Sequence, residues 1–564
     1  MKYKNLFTPV TIGSVTIKNR FAMAPMGPLG LADAQGGFNQ RGIDYYTERA
    51  KGGTGLIITG VTFSDCKVET QSMPNCPNST FNPVHFIRTG REMTERVHAY
   101  GSKIFLMMSA GFGRVTIPTN LGEFPPVAPS AIPHRWLDKI CRPLTVEEIH
   151  SIVKSFGDGA YNAMRAGFDG VEIHAVHEGY LLDQFAISMF NQRTDEYGGS
   201  LENRLRFARE VVEEIKSRCG KDFPVALRFS VKSMIKDWRE GALPGEEFEE
   251  KGRDVEEGLA AARLLVEYGY DALDTDVGTY DAWWWNHPPM YQKKGLYRPY
   301  CRMVKEAVDV PVLCAGRMDN PDMALEALEK GECDIISLSV NLIPGGVPDF
   351  KEDDIALADW YVQTLKDLRV PVYLNHEVTK DEILAGDYDA VILATGSVPK
   401  RFSLGDDARV YTASQVLLKE KDCGDSVVIV GGGLVGCETA LWLRQQGKKV
   451  TIVEALDKIL AVNGPLCHAN KDMLERLVPY RGIQVVVGAR VKEYRNGILT
   501  ADTADGEKSI PCDSVILAVG YREEDSLYRQ IEFDVPELYL LGDAKKVSNI
   551  MYGIWDAFEV ANHI

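Results

Sequence analysis

The fold is decided by one stretch of the sequence, Gly167-Phe168-Asp169-Gly170-Val171-Glu172-Ile173-His174-Ala175-Val176-His177-Glu178-Gly179-Tyr180-Leu181-Leu182-Asp183-Gln184-Phe185. A glycine turn leads into a short apolar run typical of a buried strand, and His174, His177 and Tyr180 follow where that run ends. Acid–base side chains at the carboxyl end of a strand are typical of an active site. The alternative is that both histidines are satisfied core residues and that the tyrosine only packs.

Similar apolar runs recur along the first 340 residues and alternate with helical patterns. Eight such strands with seven intervening helices predict an α/β fold, a (β/α)8 TIM barrel. An open doubly wound sheet is the competing interpretation. The predicted strands are Phe21–Ala24, Gly55–Ile58, Lys103–Met107, Asp169–Ile173, Pro224–Arg228, Tyr270–Asp274, Val310–Cys314 and Asp334–Leu338.

Composition limits the classes of partner. The chain has 564 residues and a net charge of -17, which argues against nucleic acid or an anionic membrane surface and favours a small molecule. The sequence shows neither a signal-peptide pattern nor an apolar run of membrane-spanning length, so we expect a cytoplasmic protein. The 11 cysteines include no Cys-x-x-Cys pair, so spacing predicts neither a disulfide framework nor a metal site.

The ends of the predicted strands carry glycine and arginine. Glycine lets backbone amides approach a bound group, and an arginine beside it suits a phosphate or an anionic ring. This set predicts a phosphate-bearing cofactor, although each piece alone is weak. Three tryptophans, Trp283 to Trp285, follow the sixth strand, and at least one is expected to line a cavity or a subunit contact.

A second nucleotide signal lies near the C-terminus. The strand Ser426–Val430 is followed by Gly431-Gly432-Gly433-Leu434-Val435-Gly436, an apolar helix, a strand Val450–Val453 and Glu454. Glycines between strand and helix, with an acid ending the next strand, form a dinucleotide-binding fingerprint built on Gly431, Gly433 and Gly436. Glu454 would bond a ribose 2′-hydroxyl and repel a 2′-phosphate, so NADH is expected over NADPH, with Lys448 and Lys449 leaving both open.

Several motifs resemble the old yellow enzyme superfamily, and within it the 2,4-dienoyl-CoA reductase and 2-enoate reductase branch. They are Lys18-Asn19-Arg20 with Pro25-Met26, the run Tyr45 to Gly53, the run Tyr180 to Phe185, and Asn191 to Arg204. The resemblance covers nearly the whole chain and implies FMN, FAD and a 4Fe-4S cluster beside NADH. Further runs, Pro465 to Asn470 and Asn549 to Tyr552, resemble the isoflavone-reducing members.

The resemblance also implies roles for residues. Tyr180 falls on the proton donor, His287 on a histidine that polarises the substrate carbonyl, and His174 and His177 near the pair that grips the substrate oxygen. The FMN positions are Pro25, Met26, Gly27, Gly60, Met107, Arg228, Gly316 and Arg317. Thr395, Gly396, Gly542 and Asp543 resemble the remaining FAD contacts, with plain strand-to-loop turns as the alternative.

The sequence departs from the family pattern in three places near the flavin. Glu178 lengthens the link between His177 and Gly179 by one residue, which leaves the geometry of the histidine pair open. Met107 stands where the family has a flavin-reading glutamine, and a thioether donates no hydrogen bond. Ser337-Leu338-Ser339-Val340 replaces a Gly-Arg pair that would hold the FMN phosphate.

The largest departure follows Val340, where the four-cysteine motif and the first FAD-binding βαβ unit of the family are missing. Either the protein itself carries a deletion here, or the protein is longer and an internal segment is missing from this sequence. We favour the second, since half an FAD domain is a poor candidate for a stable enzyme. The domains predicted are an FMN barrel at 1–340, a remnant FAD domain at 341–424 and 513–564, and an NAD(P)H domain at 425–512.

Together these features predict an NADH-dependent flavin ene-reductase, a homo-oligomer that reduces an isoflavone such as daidzein or a related enone or enoate. Two alternatives stay open. One is an amine dehydrogenase of the same architecture, with a tryptophan cage for the cation. The other is a catalytically silent flavoprotein or electron-transfer scaffold.

Overall fold

A computed structural model describes residues 2–27, 30–64, 67–68, 76–121, 125–338, 349–405, 407–461 and 468–564. The chain divides into two compact units, Met1–Val340 and Asn341–Ile564. The junction between Val340 and Asn341, where the family segment was expected, and the run from Pro465 to Cys467 lie outside the described residues. Among the described helices, none combines the length and the apolar character that crossing a membrane requires.

The first unit is a closed parallel barrel, which confirms the predicted fold. Closure follows from the pairing of Leu56–Ile58 with both Phe21–Met23 and Lys103–Ser109. The competing open sheet is excluded by this closure. The eight strands are Phe21–Met23, Leu56–Ile58, Lys103–Ser109, Gly170–Val176, Val225–Ser230, Ala272–Asp276, Val312–Cys314 and Ile335–Leu338.

Helices cover the outside of the barrel. The helix Val146–Arg165 begins at Thr145, where both halves of the expected capping box with Glu148 are present, and Ile149, Ile152 and Phe156 face inward. The helices of this unit are Gln40–Lys51, Pro83–His98, Val146–Arg165, Leu181–Ala186, Leu201–Arg204, Arg206–Cys219, Val255–Tyr268, Trp283–Asn286, Arg298–Ala307 and Pro321–Glu329.

Short strands close the barrel floor and shape its loops. The hairpin of Val10–Ile12 and Val15–Ile17 places Ile12 and Ile17 in the core with the inward residues of the barrel strands. This floor leaves the opposite, carboxyl end of the strands as the accessible end. The other short strands are Thr62–Phe63, Val127–Ala128, Arg142–Pro143, Ile235–Asp237 and Glu240–Gly241.

The second unit is built around a five-stranded parallel sheet. Its strands, in spatial order, are Val410–Thr412, Ser514–Leu517, Ser426–Val430, Lys449–Val453 and Gln484–Val486. A three-stranded antiparallel sheet of Arg490–Arg495, Ile498–Thr503 and Gly506–Pro511 is also present. Two strands of the five-stranded sheet, Val410–Thr412 and Ser514–Leu517, lie in the segments predicted to form the FAD domain. The domain boundaries remain a prediction.

The rest of the second unit contains two pairs of short strands and several helices. Val391–Leu393 pairs in parallel with Leu538–Leu540, and Ser397–Pro399 pairs with Tyr521–Glu523. The helix Ile550–Ala561 is apolar yet buries none of its residues. The remaining helices are Glu352–Asp367, Lys380–Ala385, Ala413–Leu417, Leu434–Gln445, His468–Tyr480, Ser526–Ile531 and Gly542–Lys545.

Candidate active site

The candidate site lies at the carboxyl end of the barrel strands. Strand Gly170–Val176 is buried along its whole length. The register places His174 beside Arg228, and Arg228 beside Asp274, on three neighbouring strands. Because register partners in parallel strands point to the same face, these three polar side chains meet inside the barrel.

A hydrogen bond and an ion pair hold the turn that carries Tyr180, the predicted proton donor. Glu178 and Gly179 both have left-handed backbone, with φ of 59° and 74°. The amide of Gly179 donates to Asp183 at 2.8 Å, and Asp183 pairs with fully buried Arg253 at 2.7 Å. A rigid element therefore presents Tyr180 to the site.

Tyr180 is 6% exposed and sits against aromatic rings. Its ring centroid lies 4.3 Å from that of His174 and 4.8 Å from that of Phe112. Its hydroxyl lies 2.8 Å from the hydroxyl of Tyr280. Burial raises the pKa of Tyr180 well above its usual range, and nearby Glu178 acts in the same direction, so the phenol keeps its proton.

His177 is a buried cation. Burial would lower its pKa, but Asp276 and Glu178 outweigh that effect and raise the pKa to about 9. Its Nδ1 lies 2.8 Å from Asp276 Oδ2, and its Nε2 lies 3.1 Å from Glu178 Oε1. Both ring nitrogens are therefore engaged within the protein.

His174 is the neutral member of the histidine pair. Burial lowers its pKa well below the usual range, and the charge on His177 adds to that effect. Its Nδ1 is buried and has no hydrogen-bond partner among the described residues. A buried nitrogen without a partner is costly, so His174 is the side chain best placed to meet a ligand oxygen.

The charge of His177 predicts a pH-dependent stability. Its folded pKa lies above the usual value of 6.5, so the stabilisation is complete below about pH 6.5 and is lost as the pH rises through about 9. The loss amounts to about 3 kcal/mol. We expect His177→Asn to cost most of this at pH 7 and little at pH 10, measured by denaturant unfolding of both proteins. A difference that stays constant between these pH values would contradict the prediction.

His287 lies at the outer margin of the site, with 47% of its side chain exposed. Its Nδ1 accepts a hydrogen bond from Trp283 Nε1 at 2.8 Å and lies 3.5 Å from Glu178 Oε1. Of the three tryptophans, Trp284 and Trp285 are buried and both donate to the carbonyl of Ala242. Trp283 is half-buried, and whether it lines a cavity or a subunit contact stays a prediction.

Three acids of the site were not predicted as site residues. Arg228 Nη1 donates to Asp274 at 2.6 Å, and Ser230 donates to Asp276 at 2.5 Å. Burial raises the pKa of Glu172, and neither of its oxygens has a partner among the described residues. The sequence does contain a pattern that could have indicated two of these acids, because Asp274 and Asp276 stand at alternate positions at the end of the sixth strand.

The residues present fit a flavin ring at this end of the barrel. Glu172, His174, Asp274 and Ser337 on the barrel strands each have a buried polar atom with no partner among the residues that the structure describes, and Arg228 lies among them. Such a set is costly without a polar ligand. A Cβ on Gly60 would meet the Met26 carbonyl at 2.1 Å, so glycine is needed where these two loops meet.

Other predicted FMN positions are arranged as follows. Pro25, Met26 and Gly27 follow the first strand; Pro25 and Met26 are half-buried and Gly27 is exposed. Met107 is 4% exposed and lies in the barrel core. Gly316 has a φ of 81°, and Arg317 Nη1 donates to the carbonyls of Met290 and Gln292, so its guanidinium braces a loop. These assignments remain predictions.

The glycine fingerprint has the geometry that a dinucleotide needs. Gly431 has a φ of 107°, a Cβ on Gly436 would lie 2.0 Å from the Gly431 carbonyl, and Gly433 has open space around it. These are the tight turn, the close helix contact and the room for a pyrophosphate. Glu454 Oε2 accepts from the Gly432 amide at 2.6 Å, which places the acid directly beside the loop.

The predicted FAD residues lie at one edge of a small sheet. Thr395 with Gly396 and Gly542 with Asp543 follow the paired strands Val391–Leu393 and Leu538–Leu540. Thr395 Oγ1 donates to the carbonyl of Glu524, and Asp543 accepts from Ser397 Oγ at 2.9 Å. The arrangement fits one side of a nucleotide site.

No set of ligands for an iron–sulfur cluster lies among the described residues, and the 4Fe-4S cluster that the resemblance implies stays a prediction. Within these residues, no three cysteines bring their thiols together as a shared metal ion requires, although the thiols of Cys301 and Cys333 each contact that of Cys314. The one group of possible metal ligands in the described part of the chain is His174, His177 and Glu178, whose ligand atoms lie within 4.8 Å of one another. His177 already uses both nitrogens on carboxylates, so we assign no metal to this group.

The chain matches two family models. Residues 5–345 match the NADH:flavin oxidoreductase / NADH oxidase family, and residues 354–555 match the pyridine nucleotide-disulphide oxidoreductase family. A cinnamate reductase from Clostridium sporogenes is 49% identical to this chain, and the alignment covers 100% of each protein. That alignment spans 663 positions against 564 residues, so the relative contains segments that this chain lacks.

More distant proteins share the arrangement. An NADH oxidase from Thermoanaerobacter brockii is 29% identical over 99% of both chains. The solved structure of a 2-naphthoyl-CoA reductase complex superposes with a TM-score of 0.84 at 21% identity, covers 100% of both chains, and shows the same fold. The chain thus belongs to the NADH:flavin oxidoreductase / NADH oxidase family, in the old yellow enzyme superfamily, and is a flavin-dependent NADH oxidoreductase.

Proposed function

We propose that the chain reduces a carbon–carbon double bond conjugated to a carbonyl or carboxylate, using NADH. The observation that carries this proposal is the pairing of a protonated, buried Tyr180 with a neutral His174, whose Nδ1 has no partner in the described part of the chain; their rings lie 4.3 Å apart. One group can donate a proton and the other can bond an oxygen. The cinnamate reductase relative supports an aryl enoate as substrate.

Each residue has a distinct task in this proposal. FMN, when bound, supplies the hydride for the β-carbon of the alkene. His174, with its hydrogen on Nδ1, bonds the substrate oxygen as negative charge develops there. His177, held by Asp276 and Glu178, packs beside His174 with the ring centroids 5.1 Å apart and helps to keep His174 in its neutral form. Tyr180 then gives its proton to the α-carbon.

The aromatic wall of the site fits an aryl substrate. Phe63, Phe112, Val115, Tyr180 and Tyr280 form one apolar cluster, with Trp136 and Trp283 packed against it. Tyr280 stacks on Trp283 at 4.7 Å, and Trp136 packs on Trp283 at 5.4 Å. Because Tyr280 and Trp283 each cover one face of the other, fewer ring faces are left for the cation cage of an amine dehydrogenase, whereas the apolar wall still suits a flat aryl group.

An aryl enoate such as cinnamate is therefore the first candidate, and an isoflavone such as daidzein is the second. We would supply FMN, FAD and NADH without oxygen and follow NADH consumption with each alkene. The expected result is one NADH consumed per saturated product. Consumption with neither alkene would contradict the proposal and favour the scaffold. Bleaching of the flavin by a substituted amine would contradict it and favour the amine dehydrogenase.

That the protein is a cytoplasmic homo-oligomer stays a prediction, and we propose no role for an iron–sulfur cluster.

Glu454 provides a test of the preference for NADH. Glu454→Gln keeps an oxygen that can accept from the Gly432 amide but removes the charge that repels a 2′-phosphate. We expect the ratio of kcat/KM for NADPH to that for NADH to rise about tenfold, or roughly 1.4 kcal/mol. Glu475→Gln, at a half-buried acid of the same unit, is the control. An unchanged ratio would show that Glu454 does not read the ribose.

A further inference from the structure

The hydroxyls of Tyr180 and Tyr280 form a buried pair. They lie 2.8 Å apart, and the two side chains are 6% and 8% exposed. At this distance one hydroxyl donates and the other accepts. The proton on Tyr180 is therefore coupled to the hydroxyl of a residue 100 positions further along the chain.

The backbone holds Tyr280 firmly against the turn that carries Tyr180. The Tyr280 amide donates to the Glu178 carbonyl at 2.9 Å, and the Tyr280 carbonyl accepts from Arg135 Nε at 3.1 Å. The next residue, Asp281, forms a fully buried ion pair with Arg114 at 2.6 Å. A side chain fixed on both sides in this way is suited to an accurate hydrogen bond.

His287, expected from the family resemblance to assist at this point, is placed differently. Its ring centroid lies 6.2 Å from that of Tyr280, and its Nδ1 is engaged by Trp283. Nearly half of its side chain is exposed to solvent. The Tyr280 hydroxyl therefore lies directly against the proton donor, as does the Glu178 carboxylate, which also contacts the Tyr180 hydroxyl.

We infer that Tyr280 is a positioning residue for protonation of the alkene, acting through Tyr180. The inference rests on the proposed ene-reductase function. As the O–H bond of Tyr180 breaks and the C–H bond at the α-carbon forms, Tyr280 donates its hydrogen bond to the phenolate oxygen left on Tyr180. A proton from solvent water then restores the phenol. Before the step, the same bond holds the Tyr180 hydroxyl in place.

Tyr280→Phe removes only this hydroxyl and tests the inference in the flavin-loaded enzyme. We expect oxidation of the reduced flavin by cinnamate to slow by about 10²-fold. The solvent deuterium isotope effect on that step should rise, while flavin reduction by NADH keeps its rate. Tyr270→Phe is the matched control, because Tyr270 is also buried but its hydroxyl donates to the Ala208 carbonyl.

A second measurement needs no turnover. NMR of protein with tyrosine labelled at Cζ, assigned with Tyr180→Phe, should show that Tyr280→Phe moves the Tyr180 signal and that Tyr270→Phe does not. An unmoved signal, or unchanged alkene reduction and isotope effect, overturns the inference while the proposed function stands. A moved signal in an enzyme that reduces no alkene would refute the proposed function and leave only a structural hydrogen bond, which also overturns the positioning role.

Discussion

Tyr180→Phe is expected to lower the rate of alkene reduction by about 10²- to 10⁴-fold and to leave the reduction of flavin by NADH unchanged. The phenyl ring keeps the contacts with His174 and Phe112, whose centroids lie 4.3 and 4.8 Å away, and the change removes the hydroxyl with its proton and its hydrogen bond to Tyr280. Rapid mixing without oxygen separates the two half-reactions. Equal loss in both would refute the role of proton donor.

The choice of alkene sharpens this test. A nitro group stabilises the carbanion that hydride addition leaves, so a nitroalkene can accept hydride before any proton arrives. With Tyr180→Phe we therefore expect flavin oxidation by an aryl nitroalkene to stay close to the wild-type rate while oxidation by cinnamate falls. Equal slowing with both acceptors would mean that Tyr180 acts on hydride transfer or on binding. Such a result would place the acid elsewhere in the site.

The barrel could be predicted from the sequence because its strands are short apolar runs with glycine or proline at their ends. The predicted strand Asp169–Ile173 is observed at Gly170–Val176, longer at its carboxyl end by His174, Ala175 and Val176. Polar residues at a strand end read as loop, yet Ala175 and Val176 are buried and extend the strand. The helix Val146–Arg165 was predictable for a different reason, since its capping box is a purely local signal.

The partners of the predicted site residues were much harder to find. The spacing of the central stretch indicates His177, but its cationic state depends on Asp276, which lies on another strand. Tyr280 stands 100 residues from Tyr180, in a loop whose sequence draws attention to its tryptophans. Such contacts are created by closure of the barrel and have no local pattern. The sequence shows Glu178 as an extra residue, whereas its contacts with His177 and His287 are visible only in the structure.

Arg114→Met is expected to destabilise the first unit by about 3–5 kcal/mol. The guanidinium of Arg114 donates to both oxygens of Asp281, at 2.6 and 3.2 Å, and both side chains are fully buried. Burial raises the pKa of Asp281, but Arg114 outweighs it, so the net pKa is lowered and the carboxylate is charged. Removing Arg114 leaves that charge buried with fewer partners. Denaturant unfolding followed by tryptophan fluorescence measures the loss.

Two further variants show whether the cost comes from the orphaned charge. Arg142→Met breaks an ion pair with Glu148 of similar length, 2.9 Å, but on the surface, and should cost about 0–1 kcal/mol. The double variant Arg114→Met/Asp281→Leu should be more stable than Arg114→Met alone, because it removes the unpaired carboxylate as well. Asp281 follows Tyr280 directly, so the double variant should still reduce alkenes more slowly than the wild type even where stability returns. A double variant with full activity would show that this ion pair supports the fold without positioning Tyr280.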